Sequence, residues 1–564
     1  MTTEAPTTEL PDDLRDVRRR LEQFAAESRV DELIDTVIAV LAQMRDSHNE
    51  LAMRLRKALR ELYGRKSQKV DASDLSQLLA ALGDAVPPSA ADAVKPAEPP
   101  SDEAAPPAPP ENVPVPPEPP KPPRVRNGRS PLPPNLPRRQ KKVPVSDAAR
   151  VCPHCGRDRA CIGYRVSEIL EFIPARFELI EELREKMACP YCPEGGVTTA
   201  PSEKVRDRGR PGPGLLATLF TGKFADAMPL YRQAQQFARY GVKLSPSTLG
   251  DWLSFTIDLL EPVASRIGVR VVGSPYVRGD DTGLRVLDRD HVNGVKRGHV
   301  WGFVGLDDGV PLVFYDYAPT WDPEHPAAVL QGFTGYFQGD AYAGYAKMLR
   351  HGTEEPLVPP ERRMGCAMHI RAKFEEALKA GDKRAAIGLA YFSAIYRVEA
   401  SCKADALSPD ERKARRDELS LPLVNDLYKW VKELHPDLVP KSHLFLATQY
   451  AINQEEFWRR CFTDGRFEID NGEIERQFRC VAIGRKNYLF AGSDAGAKRL
   501  AIGYTLVRNC HMHGVNPLAW ATDVIEKIQG GWPMDRLDEL LPDRWRKPPS
   551  STPAEPPPAA IDTD

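Results

Sequence analysis

At 564 residues the chain is too long for one ordinary domain and has room for about three or four folded units. A formal net charge of -2 excludes a global pull toward nucleic acid, so any such attraction has to come from local clusters of charge. No apolar run reaches the roughly 18 residues that would cross a bilayer. The opening MTTEAPTTELPDD is polar rather than secretory, and ten cysteines in a chain this long suit a reducing compartment, so a cytoplasmic protein is expected.

The first element is a coiled-coil seam. Val30, Ile34, Val37, Leu41, Met44, His48, Leu51, Leu55, Ala58 and Leu62 alternate steps of four and three, a register that implies self-association through this helix. Residues 87–137 hold 20 of the 54 prolines, which excludes a packed core and predicts an extended spacer. Its continuation, KPPRVRNGRSPLPPNLPRRQKK (121–142), has eight Lys or Arg and no acid, and reads equally as solvated linker or as a phosphate-tracking arm, with Arg138, Arg139, Lys141 and Lys142 as DNA contacts.

Two CPxC pairs follow, Cys152/Cys155 and Cys189/Cys192. Each turn can offer two thiolates to one tetrahedral Zn²⁺, and the 33 residues between the pairs are enough for a small ribbon. Four thiolates would close the coordination sphere, so the zinc is expected to be structural. MPLYRQAQQFARYG (228–241) predicts a helix stopped by glycine, and Ser245-Pro246 opens another as an N-cap followed by proline. The pair fits either scaffold or a helix-turn-helix that reads DNA.

After residue 270 three strand-like runs, YVRGDDTGLRVLD, GHVWGFVGLD and GVPLVFYDYAPT, precede a crossover helix over 322–333 and a fourth strand, GYFQGDAY. Helical composition returns from about 370 to 465. Asp280 is read as ending the first strand and Asp340 the fourth. In IDNGEIERQFRCVAIGRKN (469–487), Asp470 is read as an N-cap completing a capping box with Glu473, which leaves Glu475 without a structural duty beyond a solvated pair with Arg479. Three carboxylates from separate elements suit a two-metal phosphoryl-transfer site. Cys366 and His369 are spaced like metal ligands, but a helix face explains them more simply.

The order of LYGRKSQK, PLPPNLPR, the two CPxC pairs, MPLYRQ, STLGDW, GDAYAGY, GCAMHIRAKF and IDNGEIERQFRCVAIGRKNYLFAGS resembles the insertion-sequence-66 family of bacterial DDE transposases, from about residue 30 to residue 530. That resemblance implies a multidomain α+β protein with an N-terminal coiled coil, a small zinc ribbon, and an RNase H-like α/β catalytic core interrupted by a helical insertion. It implies Asp280, Asp340 and Glu475 as catalytic residues holding Mg²⁺ or Mn²⁺, with Arg476, Arg479, Arg485 and Lys486 on DNA phosphates. Asp281 stands where the family usually has Glu, and Gly472 departs from its last motif.

The implied organisation is a coiled-coil helix at 1–66, a short helix with a Pro-rich and basic linker at 67–145, and a zinc-binding domain at 146–200. A helical region at 201–268 leads to the first part of the core at 269–370, the insertion at 371–466, the last part of the core at 467–530 and a tail at 531–564. The expected activity is metal-dependent cleavage at the ends of an insertion sequence and transfer of the freed strand to target DNA. Expected partners are both DNAs, a second copy of the chain and accessory proteins of the same element, in a bacterial, nucleoid-associated setting without a membrane. A DNA-binding regulator that performs no chemistry and a junction-resolving nuclease are the rival readings.

Overall fold

The computed structural model describes residues 211–546 without interruption. It also describes 72–83, 86–92, 177–181, 186–188, 197–199, residue 205 and isolated positions between 19 and 38. Most of the coiled-coil seam, the basic arm with Arg138, Arg139, Lys141 and Lys142, and all four zinc-ligand candidates, Cys152, Cys155, Cys189 and Cys192, lie outside the described residues. Of the seam, Val30, Ile34 and Val37 are described; the first two are exposed and Val37 is half-buried.

Two short helices, α1 (Ala72–Ala80) and α2 (Pro88–Asp92), precede an antiparallel pair of strands, β1 (Lys186–Ala188) and β2 (Val197–Thr199). Then come α3 (Pro213–Phe224), α4 (Leu230–Arg239) and α5 (Pro246–Val272). Local chemistry sets these boundaries as the sequence predicts. Gly241 takes φ +87° after α4, and the Ser245 hydroxyl accepts the Thr248 N–H at 3.1 Å at the start of α5, with Pro246 in the first turn. Helix α5 runs on to Val272 and buries Val263, Ile267 and Val271, with Gly268 letting the Phe314 ring approach, as scaffold would.

The central sheet has the order β5-β4-β3-β6-β7. Strands β3 (Tyr276–Leu287), β4 (Val295–Asp307) and β5 (Val310–Ala318) form an antiparallel meander. The β4–β5 turn is Asp308-Gly309, both residues at positive φ, the two-residue hairpin connection that twisted strands favour. After α6 (Glu324–Val329), β6 (Tyr336–Gln338) pairs parallel to β3, and β7 (Arg363–Met364) parallel to β6. The fourth strand is therefore three residues long, and a fifth, two-residue strand was not legible at all. Asp280 lies inside β3 rather than at its end, and Asp340 lies two residues beyond β6.

Helices α7 (Ala367–Lys379), α8 (Ala385–Ala404), α9 (Pro409–Arg415), α10 (Leu421–Leu434) and α11 (His443–Arg459) then make a second core around Phe374, Tyr391, Phe392, Trp430 and Trp458, joined by Leu75 and Leu79 of α1. The chain returns through α12 (Gly472–Gln477), α13 (Arg479–Tyr488), α14 (Asp494–Met512) and α15 (Pro517–Gln529). Helix α14 covers the outer edge of the sheet. Asn509 takes both the N–H and the carbonyl of Val313, and the Thr505 hydroxyl accepts the Tyr315 N–H, so these three outward groups of edge strand β5 are satisfied.

Candidate active site

Strand register decides which acids can meet. Asp280 pairs across the ladder with Gly302, and a side chain on Gly302 would collide with Ile474 and Phe478. Asp280 and α12, which carries Glu475, thus share one face of the sheet. Asp281 points to the other face, opposite Trp301. Past Arg278 the β6 side of β3 is no longer paired, so the backbone around Asp280 borders the segment that carries Asp340.

The helix start that carries Glu475 is not held by the expected capping box. Its N-cap is Asn471, without a side-chain cap. Asp470 accepts the Gly472 N–H at 2.8 Å and the Tyr396 hydroxyl at 2.7 Å, while Glu473 accepts from Arg476 and Gln477. A partner inside the core and a basic neighbour one turn on outcompete the reciprocal cap. Asn471, fully buried, does the positioning: its side-chain amide donates to the Gly279 carbonyl at 2.8 Å and its backbone N–H to the Cys366 sulfur at 3.2 Å. Cys366 is buried, with its thiol pushed far up by that burial, and serves as an anchor.

The electrostatics of Asp280 are those of a carboxylate in need of a cation. Burial first, and then the charges of Asp340, Glu475 and Asp281, push it up to about 8, against the Asp281 N–H that donates to its Oδ1 at 2.8 Å. Among the described residues neither Asp280 nor Asp340 pairs with a basic side chain. Glu475 is also raised, first by burial and then by Asp470, with His369 acting in the opposite direction. His369 Nε2 stands 3.9 Å from Glu475 Oε1, and among the described residues its buried Nδ1 has no hydrogen-bond partner. A cavity of about 110 Å³ opens at Asp340, with Arg363, Tyr345 and Gln454 also on its wall.

Asp280 feels the charges of both Asp340 and Glu475, but the three acids do not close into a shell. Among the described residues no three His, Cys, Asp or Glu side chains stand close enough to ligate one ion. The donor set nevertheless fits hard divalent cations, which take oxygen ligands, because a half-buried acid repelled by other acids is relieved by positive charge.

The basic residues separate into two kinds. Arg479 and Lys486 are exposed. Arg476 is bound to Glu473, and no ion pair joins Glu475 to Arg479 among the described residues, because the helix breaks at Phe478 between them. Arg485 turns inward, donating to the Thr282 hydroxyl at 3.0 Å and to the Gly283 carbonyl, so it braces β3 instead of facing a phosphate. His369 and Asn471 are the functional neighbours that sequence reasoning undervalued. The Cys-x-x-His spacing and the Asn-Gly pair were visible, but nothing along the chain says that they meet Glu475 and Gly279.

Comparison with known proteins covers the same segments. The model of the transposase IS66 family matches residues 208–499, that of the IS66 C-terminal element 505–542, that of the zinc-finger binding domain of transposase IS66 149–193, and that of the transposase C of IS166 homeodomain 50–140. Among curated relatives, the uncharacterized protein y4hP of Sinorhizobium fredii (strain NBRC 101917 / NGR234) is 32% identical over 449 residues, covering 76% of this chain and 79% of its own. The uncharacterized proteins y4jD and y4qI of the same strain are 30% identical over 424 residues and 32% identical over 397, covering 74% and 69% of this chain and 81% and 72% of their own. Among the described residues no helix is long and apolar enough to cross a membrane. The chain belongs to the IS66 transposase family.

Proposed function

We propose that this transposase is a DDE enzyme that binds the ends of an insertion sequence, cleaves them in a metal-dependent step and joins the freed strand to target DNA. The observation that carries the reading is Asp280: a half-buried carboxylate inside the central strand, without a basic partner among the described residues and repelled by Asp340 and Glu475. The sheet supports an RNase H-like core, since three antiparallel strands are followed by two short strands parallel to the first, on its far side.

Asp280, Asp340 and Glu475 would hold Mg²⁺ or Mn²⁺, each ion needing only part of the set. When bound, the ions would activate the attacking hydroxyl and stabilise the leaving oxygen. Asn471 fixes the distance between the strand of Asp280 and the helix of Glu475. His369 stands beside Glu475 and opposes the upward push that burial gives its carboxyl. Arg479 and Lys486, exposed beyond Glu475, would hold phosphates and contribute affinity rather than sequence reading. The cysteine pairs would hold a structural Zn²⁺, the basic arm would track DNA, and the coiled coil would join two copies; the domain limits given by the sequence are kept for this reading. Accessory proteins of the same element are proposed as further partners.

The test is a nicking assay with the full chain, labelled DNA carrying the element's ends, and Mg²⁺. Wild type is expected to release a 3′ hydroxyl at the element boundary, and Asp340→Asn to bind the same DNA without cutting. Binding without cutting by both proteins would favour the regulator instead.

A further inference from the structure

One arginine beside the candidate acids carries a charge that the fold leaves unmatched. Arg363 opens β7 and forms part of the wall of the cavity at Asp340. Its guanidinium lies over the Phe457 ring of α11, 5.2 Å from the centroid, a seat that steadies the group without using its N–H donors. Among the described residues no carboxylate pairs with it, and its buried Nε has no hydrogen-bond partner.

The neighbouring cation sharpens the deficit. Arg460 donates to the Pro360 carbonyl at 2.9 Å and to the Arg363 carbonyl, and pairs with Glu456 at 2.9 Å. Arg460 is thus engaged, whereas Arg363 is held below the usual arginine range by burial and then by Arg460, against a weaker pull from Glu361. A guanidinium keeps its proton at any working pH, so its buried donor costs free energy until an acceptor arrives.

The cavity narrows the choice of acceptor. At about 110 Å³ it has room for a group several times the size of a water molecule. Asp340 stands on the same wall and repels a free anion, so the acceptor has to be one that a cation on Asp340 would also attract. A phosphodiester meets both conditions. Guanidinium donors fit its non-bridging oxygens, and hard divalent cations take oxygens of the same kind.

We infer that Arg363 is a substrate-binding residue that donates to a non-bridging oxygen of the phosphodiester at the cleavage point. The inference rests on the nuclease reading above. It gives Arg363 a duty different from that of Arg479 and Lys486, since it grips one phosphate in a fixed place, where preset donors stabilise charge as it develops.

The test is a binding cycle with the full-length protein, with Ca²⁺, another cation that takes oxygen ligands, in place of Mg²⁺, and with the DNA checked to be intact. Duplexes carrying the element's end have one phosphate at a time replaced by an uncharged methylphosphonate around the cleavage point. Kd is measured for wild type, Arg363→Met, which keeps the stem against Phe457, and Arg363→Lys, which keeps the charge without the fork. At the phosphate of the cleavage point, neutralisation is expected to weaken wild type about tenfold more than Arg363→Met, with Arg363→Lys between them. Melting curves establish that both variants are folded, and the Lys variant carries the comparison if the Met variant is not. Equal losses in all proteins at every position, or coupling spread evenly along the backbone, would overturn the site whether or not the protein cuts. Coupling confined to that phosphate in a protein that never cuts with Mg²⁺ would sustain the site and overturn the nuclease reading alone.

Discussion

The side-chain amide of Asn471 donates to the carbonyl of Gly279 at 2.8 Å, so the helix that carries Glu475 is fastened to the residue just before Asp280. One hydrogen bond spans 192 residues of sequence and the whole helical insertion. Replacing Asn471 with Ala leaves a buried carbonyl unpaired, at a cost of about 1–3 kcal/mol. Asn471→Ala is expected to lower Tm modestly and to reduce cleavage at least tenfold, more than the stability loss explains at a temperature where the variant is folded. Unchanged cleavage in a folded variant would remove the tie from the account.

Asp280 gives a prediction about stability. Its folded carboxyl is raised to about 8, above the unfolded value near 4, so the folded state binds the extra proton between those limits and stability falls as pH rises through them. Asp280→Asn removes that loss. Without divalent metal the variant should melt higher than wild type at pH 8, by about 2–4 °C, and no higher at pH 4. It should also be inactive. Melting curves at the two pH values, with chelator present, check the sign.

His369 acts on Glu475 in the opposite sense to burial. Removing it in His369→Ala should raise the Glu475 carboxyl further, so cleavage should need a higher pH. The acid limb of the pH–rate profile is expected to move up, with the loss largest below neutrality and partly recovered in alkali. A uniform drop across the profile would indicate a packing role instead.

The inward turn of Arg485 separates it from its basic neighbours. Arg485→Ala should lower Tm and leave the salt dependence of DNA binding unchanged. Arg479→Ala and Lys486→Ala should leave Tm alone, and each should reduce the slope of log K against log salt by about one. Anisotropy titrations at several salt concentrations decide this.

Much of the molecule was legible in the sequence because its signals are local. Three β-rich runs with turn residues between them gave the meander, Ser245-Pro246 gave a helix start, and the 134 residues between Asp340 and Glu475 gave the block of helices α7 to α11. What could not be read depends on distant partners. Strand β7 is two residues long and exists only because β6 offers an edge. The capping box at Asp470 fails because Tyr396, in the insertion, supplies a competing hydroxyl. Arg485 carries the same charge as Lys486, and charge alone does not say which way a side chain turns. Arg363 became a candidate only when the fold set it against Phe457 and in one cavity with Asp340.

The measurement that tests the central claim most directly is strand transfer by the purified full chain, with labelled element ends, target DNA and Mg²⁺, comparing wild type with Glu475→Gln. The account predicts joined product from wild type, and from Glu475→Gln unaltered folding and DNA binding with neither cleavage nor joining. Joined product from Glu475→Gln at the wild-type rate would contradict it, because Glu475 would then have no part in the reaction.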